Sequence, residues 1–218
     1  MHIETIWRIT ELSMYALGAI SIFFYKKLTP KYKLISLYIW VGIFIDSLTT
    51  YLLKSTNYNL FLLPIYSFIE LAIFSKLYLD FFLRKQNRHL QLFVLLALGL
   101  ILLDFLFLCD LFNAETFYAF SKVIADLTII ILCLIYYWKV LKEEMPIDKE
   151  LLLLNSGFIS YFSINCFIFL SINFLINESL DLVTPFWTLN ALSALFLYLF
   201  LTYMIWQHGK IQKISPFG

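Results

Sequence analysis

The chain has 218 residues, of which 61% are hydrophobic and 14% are charged, and its formal net charge is +1. An ordinary soluble domain is about 45–50% apolar and about 25% charged, so a soluble fold of this size would expose a large apolar surplus. The composition therefore argues against a soluble domain, and the small net charge argues against a nucleic-acid partner.

Seven apolar segments are each long enough to cross a bilayer, which takes about 20 mostly apolar residues. In chain order they cover residues 5–25, 34–53, 59–83, 90–112, 116–141, 151–176 and 183–206. Each is predicted to be an α-helix, because a segment inside lipid must satisfy its own backbone hydrogen bonds. The sequence thus predicts an all-α, polytopic membrane protein, with one seven-helix transmembrane domain over residues 1–218 embedded in the lipid bilayer.

The basic residues of the loops predict the orientation of the chain. They concentrate in residues 26–33, 84–88, 139–149 and 210–213, whereas the other three loops contain Lys54 and several acidic residues. Cytoplasmic loops carry the excess of lysine and arginine. We therefore expect a multi-pass protein of the cell (inner) membrane with its N-terminus outside and its C-terminus in the cytoplasm.

Three short matches indicate an internal repeat. Residues 11–13 (Glu-Leu-Ser) match residues 126–128 (Asp-Leu-Thr), residues 23–26 match residues 136–139, and residues 64–68 match residues 185–189. They suggest that segments 1–3 were duplicated as segments 5–7 in parallel orientation and joined by segment 4, a type of repeat found in transporters. Short matches in a phenylalanine-rich chain also arise by chance.

Polar side chains recur at a similar depth in the outer half of the predicted membrane. With about 1.5 Å of rise per residue, they lie about 9 to about 17 Å from the outer ends of the segments. They are Glu11, Asp46, Glu70, Asp104, Lys122, Asp126, Asn165 and Asn190, and they come from all seven segments. A charged group at this depth costs about 2.5–3.5 kcal/mol on insertion and usually faces the bundle interior.

Helical spacing indicates which faces carry these groups. Tyr66 and Glu70 are four residues apart, and residues three or four apart share one face of a helix. Because lipid is a poor solvent for such polar faces, we expect them to converge on the bundle axis and form an outward-facing ligand pocket or a proton relay. The candidate residues are Glu11, Asp46, Tyr66, Glu70, Lys122, Asp126, Asn165, Trp187 and Asn190.

Simpler interpretations remain open for some of these polar residues. Lys122 and Asp126 are also four apart, so they can neutralise each other as a purely structural pair. Asp104 has only apolar helical neighbours, so it either points at a partner helix or is protonated. Serine-rich faces, as in the sixth segment, also occur because small side chains allow helices to pack closely.

Several enzyme chemistries find no support in the sequence. His2, His89 and His208 lie away from the depth of the carboxylates, which argues against a histidine-ligated zinc hydrolase and against a Ser–His nucleophile. There is no glycine-rich phosphate loop. We therefore predict no cofactor, no metal ion and no catalytic residue.

The seven-segment topology, with an outside N-terminus and a three-plus-one-plus-three repeat, resembles the SWEET sugar transporters. In helix number and orientation it also resembles the microbial opsins. These resemblances cover the whole chain and imply a seven-helix fold with a transport or receptor role. The Pro-Gln signature of the PQ-loop relatives is absent, and the seventh segment lacks the lysine that holds retinal in opsins.

A second resemblance involves Asp46, Pro64 and Glu70. Their order is similar to that in membrane-embedded carotenoid lycopene cyclases, which carry an aspartate on one helix and a Pro-x-Glu-Glu type motif at the start of the next. Residues 64–67 read Pro-Ile-Tyr-Ser and lack the adjacent acids, so no catalytic role is transferred. Residues 64–70 and 185–190 also look like segments of small uncharacterised seven-helix membrane proteins of bacteria.

The leading hypothesis is a membrane protein that binds or transports a small polar or cationic solute, which would enter the pocket from outside. The first alternative is a seven-helix sensor that signals to a separate cytoplasmic partner, because the tail after Trp206 is too short for an output domain. A membrane-embedded enzyme acting on a lipid or isoprenoid is the second alternative, and a structural subunit is the third. A homo-oligomer or a membrane or cytoplasmic partner protein is compatible with each.

Overall fold

The chain folds into a bundle of α-helices. The computed structural model describes residues 2–56, 59–83, 88–108, 118–142, 144–176 and 180–211, and 92% of the structure is helical. Within these residues there are seven helices: α1 (His2–Phe24), α2 (Pro30–Thr56), α3 (Leu62–Leu77), α4 (Arg88–Leu103), α5 (Phe120–Leu141), α6 (Lys149–Leu175) and α7 (Leu180–Ile211).

The helices follow the predicted segments, with shifts at their ends. α2 begins at Pro30 and not at residue 34, because proline fits the first helical position, where no backbone donor is needed. α6 begins after Asp148, whose Oδ1 accepts hydrogen bonds from the backbone N–H groups of Glu150 at 3.0 Å and Leu151 at 3.2 Å. The predicted junction of segments 4 and 5, residues 109–117, lies outside the described residues, as do residues 84–87 of the second basic loop.

Two helices continue into π-helical turns, Tyr78–Phe82 after α3 and Asp104–Leu108 after α4. The second turn directs Asp104 towards α5. The Asp104 Oδ2 accepts a hydrogen bond from the backbone N–H of Ser121 at 3.1 Å, and Asp104 is only 6% exposed. Of the two interpretations left open by the sequence, contact with a partner helix is the one observed.

Six helical stretches among the described residues are long and apolar enough to cross a membrane. They are Pro30–Ser55, Leu62–Phe82, Arg88–Leu106, Phe120–Leu141, Lys149–Leu175 and Leu182–Lys210. This fits the predicted all-α, multi-pass membrane protein. α1 is not among the six, and its first half carries the charged residues Glu4, Arg8 and Glu11.

Six of the helices form a closed ring. Around it, α1 contacts α2, α2 contacts α3, α3 contacts α5, α5 contacts α6, α6 contacts α7, and α7 contacts α1. α4 packs against α3 and α5 beside the ring. The fourth helix is therefore peripheral, and α3 and α5 meet directly.

An aromatic block fills the middle of the ring. The Phe74 ring packs edge-on against the rings of Tyr38, Phe158 and Phe162, with centroid distances of 4.8–5.0 Å. All four side chains are buried. Edge-to-face contacts of this kind contribute about 0.5–1.5 kcal/mol each beyond the burial of apolar area, so the block stabilises the contacts among α2, α3 and α6.

We predict that Asp104→Ala lowers the unfolding free energy by about 1 kcal/mol, because the N–H of Ser121 loses its capping acceptor. Asp104→Asn should preserve most of the stability, since its amide oxygen can still accept that bond. Thermal unfolding of the purified protein in detergent would measure both variants, with the exposed Asp80→Ala as a control. Equal losses for Asp104→Ala and Asp104→Asn would contradict a capping role.

Candidate functional site

A pocket of about 210 Å³ lies on the axis of the ring, because all six ring helices contribute to its wall. Five of the candidate residues line it: Asp46, Tyr66, Lys122, Asn165 and Asn190. We call it the axial pocket. Its volume is below the range of about 300–1,000 Å³ that is common for sites of drug-sized ligands, so it suits a smaller molecule.

A buried ion triad lies against the axial pocket. The Lys122 Nζ donates hydrogen bonds to Glu70 Oε2 at 2.5 Å and to Asp126 Oδ1 at 2.7 Å. The side chains of the two acids are 0% exposed and that of Lys122 is 3% exposed. Lys122 lines the pocket, whereas Glu70 and Asp126 do not line it and contact the ammonium group of Lys122 from behind.

Hydrogen bonds extend the triad in two directions. The Tyr66 hydroxyl donates to Glu70 Oε1 at 3.1 Å and lies 3.3 Å from the hydroxyl of Tyr38. On the other side, Asn165 Nδ2 donates to Asp126 Oδ2 at 3.2 Å. The network therefore links α2, α3, α5 and α6 through polar side chains.

One buried acceptor in this network has no partner. Asn165 is 1% exposed, and its Oδ1 makes no hydrogen bond within the part of the chain that the structure describes. An unsatisfied buried acceptor costs about 1–3 kcal/mol. Because Asn165 also lines the axial pocket, a ligand that binds there and donates a hydrogen bond would give this oxygen a partner.

Aromatic rings surround the ammonium of Lys122. Its Nζ lies 5.7 Å from the ring centroid of Tyr66, 5.6 Å from that of Phe162 and 6.0 Å from that of Phe169. These distances are within the range of about 6 Å in which the face of an aromatic ring attracts a cation. The wall around Lys122 therefore combines carboxylates and aromatic rings, both of which favour positive charge.

The acidic groups at the axial pocket outnumber the basic group. Asp46 is half-buried and lines the pocket, while Glu70 and Asp126 face the ammonium of Lys122. Three carboxylates and one ammonium leave a formal net charge of −2 when all four are ionised. A cation, a proton or a hydrogen-bond donor is therefore the complementary partner.

Two candidate residues belong neither to the lining of the axial pocket nor to the buried triad. Glu11 is exposed, because the buried face of α1 runs through Thr10, Met14 and Leu17 and Glu11 is turned away from it. Glu11 remains close enough to Asp46 to interact with it electrostatically. Trp187 packs edge-on against Phe169, with a centroid distance of 5.9 Å, and lines a neighbouring crevice.

Three tyrosines at the site, Tyr38, Tyr161 and Tyr198, are absent from the sequence-based candidates. Tyr161 lines the axial pocket one helical turn before Asn165, so the spacing rule for helix faces could have found it. Tyr38 lies two turns before Asp46 on α2 and approaches Tyr66. A tyrosine in an apolar helix carries no distinct signal, because most of them pack as hydrophobic side chains.

A second polar cluster lies at the other end of the bundle. Glu150 accepts hydrogen bonds from Lys31 Nζ at 2.6 Å and from the Tyr32 hydroxyl at 2.5 Å, and the Nδ1 of His208 lies 3.3 Å from its Oε1. We call these four residues the clasp. It joins the first turns of α2 and α6 to the last turn of α7, and about 22 Å of helix separates Lys31 from Asp46.

A shallow groove runs between α6 and α7. It has a volume of about 260 Å³ and is lined mainly by apolar groups, with Gly157, Ser160 and Ser193 among its residues. Tyr161 lines both this groove and the axial pocket. The groove and the polar site therefore share the side chain of Tyr161.

Comparisons of the chain with protein-family models, with curated proteins and with solved structures return no match.

We predict that Lys122→Met lowers the unfolding free energy by about 3–5 kcal/mol, because it leaves two buried carboxylates without a counter-ion. Glu70→Gln should cost less, since Lys122 and Asp126 remain as a balanced pair. Denaturant unfolding in detergent would measure both. The triple variant Lys122→Met/Glu70→Gln/Asp126→Asn serves as the control, and it should recover much of the loss. Equal losses for Lys122→Met and Glu70→Gln would contradict a triad in which one ammonium serves two carboxylates.

Proposed function

We propose that this protein binds a small polar or cationic solute in the axial pocket and transports it across a membrane. The observation that carries the proposal is the buried triad of Glu70, Lys122 and Asp126 against a pocket with a net acidic wall. Ionisable residues within membrane spans are expensive and commonly mark pathways for substrates, ions or protons.

In the proposed topology all seven helices cross the membrane, with the N-terminus outside. α1 would be the seventh span: it closes the ring between α2 and α7, and Thr10 Oγ1 donates to the backbone oxygen of Ala191 at 3.2 Å. The excess of lysine and arginine in alternate loops supports this orientation. The axial pocket would then open to the outside, and the clasp would lie at the cytoplasmic end.

The ring also supports a duplication of the first three helices. Its contacts keep the same pattern when α1 is exchanged with α5, α2 with α6 and α3 with α7. Asp126 and Asn165, which are joined by a hydrogen bond, correspond in position to Glu11 and Asp46, two carboxylates close enough to repel each other. Repeats related in this way are a common basis of alternating access in transporters.

The clasp fits the same duplication. Lys31 and Glu150 are each the second residue of their helix, α2 and α6, and they form an ion pair at 2.6 Å. Equivalent residues of two repeats can meet only near the axis that relates them. The clasp would therefore close the inner end of the bundle, and with the aromatic block above it the protein would be in an outward-facing state.

We expect the topology to appear in cysteine labelling of intact cells, in a Cys109→Ser background, where Cys133 and Cys166 are buried. A membrane-impermeant maleimide should label Glu4→Cys. It should label Ile147→Cys, which is exposed between α5 and α6, only after permeabilisation. The reverse pattern would overturn the proposed orientation.

Binding at the axial pocket predicts that small organic cations stabilise the wild-type protein in thermal-shift titrations. Ethylammonium and guanidinium chlorides would be compared with sodium chloride at equal ionic strength. Asp46→Asn should weaken the response at least about tenfold, equivalent to about 1.4 kcal/mol, because it removes a carboxylate from the wall. The exposed Asp80→Asn is the matched control. No response to any organic cation, or an unchanged response in Asp46→Asn, would refute the proposal.

A membrane-embedded enzyme acting on a lipid is the second candidate. The observation that favours it is the groove between α6 and α7, which shares Tyr161 with the axial pocket and would admit a chain from the bilayer. Mass spectrometry of lipids incubated with the reconstituted protein distinguishes the two candidates. New products that disappear in Asp126→Asn would favour the enzyme.

A further inference from the structure

The ammonium of Lys122 occupies a site made by other residues. The carboxylates of Glu70 and Asp126 accept its hydrogen bonds, and the rings of Tyr66, Phe162 and Phe169 surround it. We call this arrangement the ammonium seat. It contains the groups that recognise a positively charged amine: paired acceptors on one side and aromatic faces on the others.

A purely structural role for Lys122 explains only part of this arrangement. A lysine and an aspartate four residues apart on α5 balance each other, so the buried Glu70 adds a negative charge that no described cation neutralises. Uncompensated buried charge is strongly unfavourable. The second, independent observation is the unpaired Oδ1 of Asn165, which is buried and lines the same pocket.

From these two observations we propose that the axial pocket binds the primary ammonium group of a small aliphatic amine, and that this ammonium replaces Lys122 in the ammonium seat. The inference rests on the proposed binding function and names its ligand class. The ligand would add one positive charge to the net acidic axial pocket and supply a donor for the Oδ1 of Asn165. In the structure the protein's own lysine side chain occupies the seat.

The seat selects for primary amines over quaternary ones. The Nζ of Lys122 lies 2.5 Å from Glu70 and 2.7 Å from Asp126, distances that require N–H donors. A tetramethylammonium ion has none, and its methyl groups would hold the charge farther from both carboxylates. The pocket of about 210 Å³ also limits the ligand to a short chain.

Lys122 has an alternative place when the ligand occupies the seat. The lysine side chain has four carbons joined by rotatable bonds and a compact charge at its end. Lys122 lines the same pocket as Asp46. An ammonium displaced from Glu70 and Asp126 can therefore move towards Asp46 without leaving the axial pocket. Binding of the amine and release of Lys122 would be one exchange, so Lys122 acts as a tethered competitor of the ligand.

The test uses Lys122→Ala, which removes three carbons and the ammonium, the equivalent of propylamine. The probe is propylammonium chloride, titrated against thermal unfolding of the full chain in detergent. We expect it to bind Lys122→Ala at least about tenfold more tightly than wild type, where the lysine competes. 1-Propanol and tetramethylammonium chloride should have no comparable effect. Equal affinity for both proteins, or an equal effect of 1-propanol, would overturn the inference.

Two further variants keep the test decisive. Lys122→Arg should bind propylammonium more weakly than wild type, because a guanidinium forms a fixed fork with carboxylates and is harder to displace. If Lys122→Ala does not fold, Lys122→Ala/Asp126→Asn leaves one carboxylate in the seat and allows the same comparison with Asp126→Asn. Affinities that are the same in the presence and absence of the lysine would again reject the inference.

The outcome separates this inference from the proposed function. If Asp46→Asn loses the response to organic cations but propylammonium does not prefer Lys122→Ala, the pocket binds cations and the ammonium seat is wrong. If propylammonium prefers Lys122→Ala but wild type responds to no organic cation, an amine only fills the space left by the lysine, and both the inference and the proposed binding function are wrong.

Discussion

Lys122 holds the carboxylates of Glu70 and Asp126 at the point where α3 meets α5. Ion pairs in an interior of low dielectric cannot exchange their partners for water, so each member of the triad requires the others. The triad therefore holds α3 against α5, and this contact closes the ring without α4. It also anchors Tyr66 and Asn165, which extend from the two carboxylates towards α2 and α6. The walls of the axial pocket are therefore held by the same charged groups that make the pocket net acidic.

The bundle differs in chemistry between its two ends. The pocket end has an excess of carboxylates over ammonium groups, whereas in the clasp Glu150 is satisfied by Lys31 and Tyr32 and contacts His208. The aromatic block between them contains no charged group and is closely packed. In a transport cycle a cation would have to pass this block, and opening of the clasp would separate α2 from α6. Transport would therefore require the hydrogen bonds and the ion pair of the clasp to break, although they stabilise this end of the bundle.

The proposed duplication also explains why the pocket is asymmetric. Glu11 and Asp46 on α1 and α2 correspond to Asp126 and Asn165 on α5 and α6, but the residue that corresponds to Lys122 is Trp7. At this depth α1 and α2 therefore carry carboxylates without a lysine, whereas α5 carries both a carboxylate and a lysine. As a result the acids of α1 and α2 face water or the pocket, while those of α3 and α5 are buried around an ammonium.

The sequence by itself determined the fold class, six of the helices that can cross a membrane, and the helix faces that carry Tyr66, Glu70, Lys122 and Asp126. These properties follow from hydropathy and from the 3.6-residue period, which are local in the chain. Only the tertiary structure decided which polar residues meet. The pairing of Lys122 with Glu70, the exposure of Glu11, the packing of Trp187 on Phe169 and the contact between Lys31 and Glu150 depend on how helices are rotated and ordered around the ring. Rotation and order are set by side-chain packing between segments distant in the chain, and no local pattern encodes them.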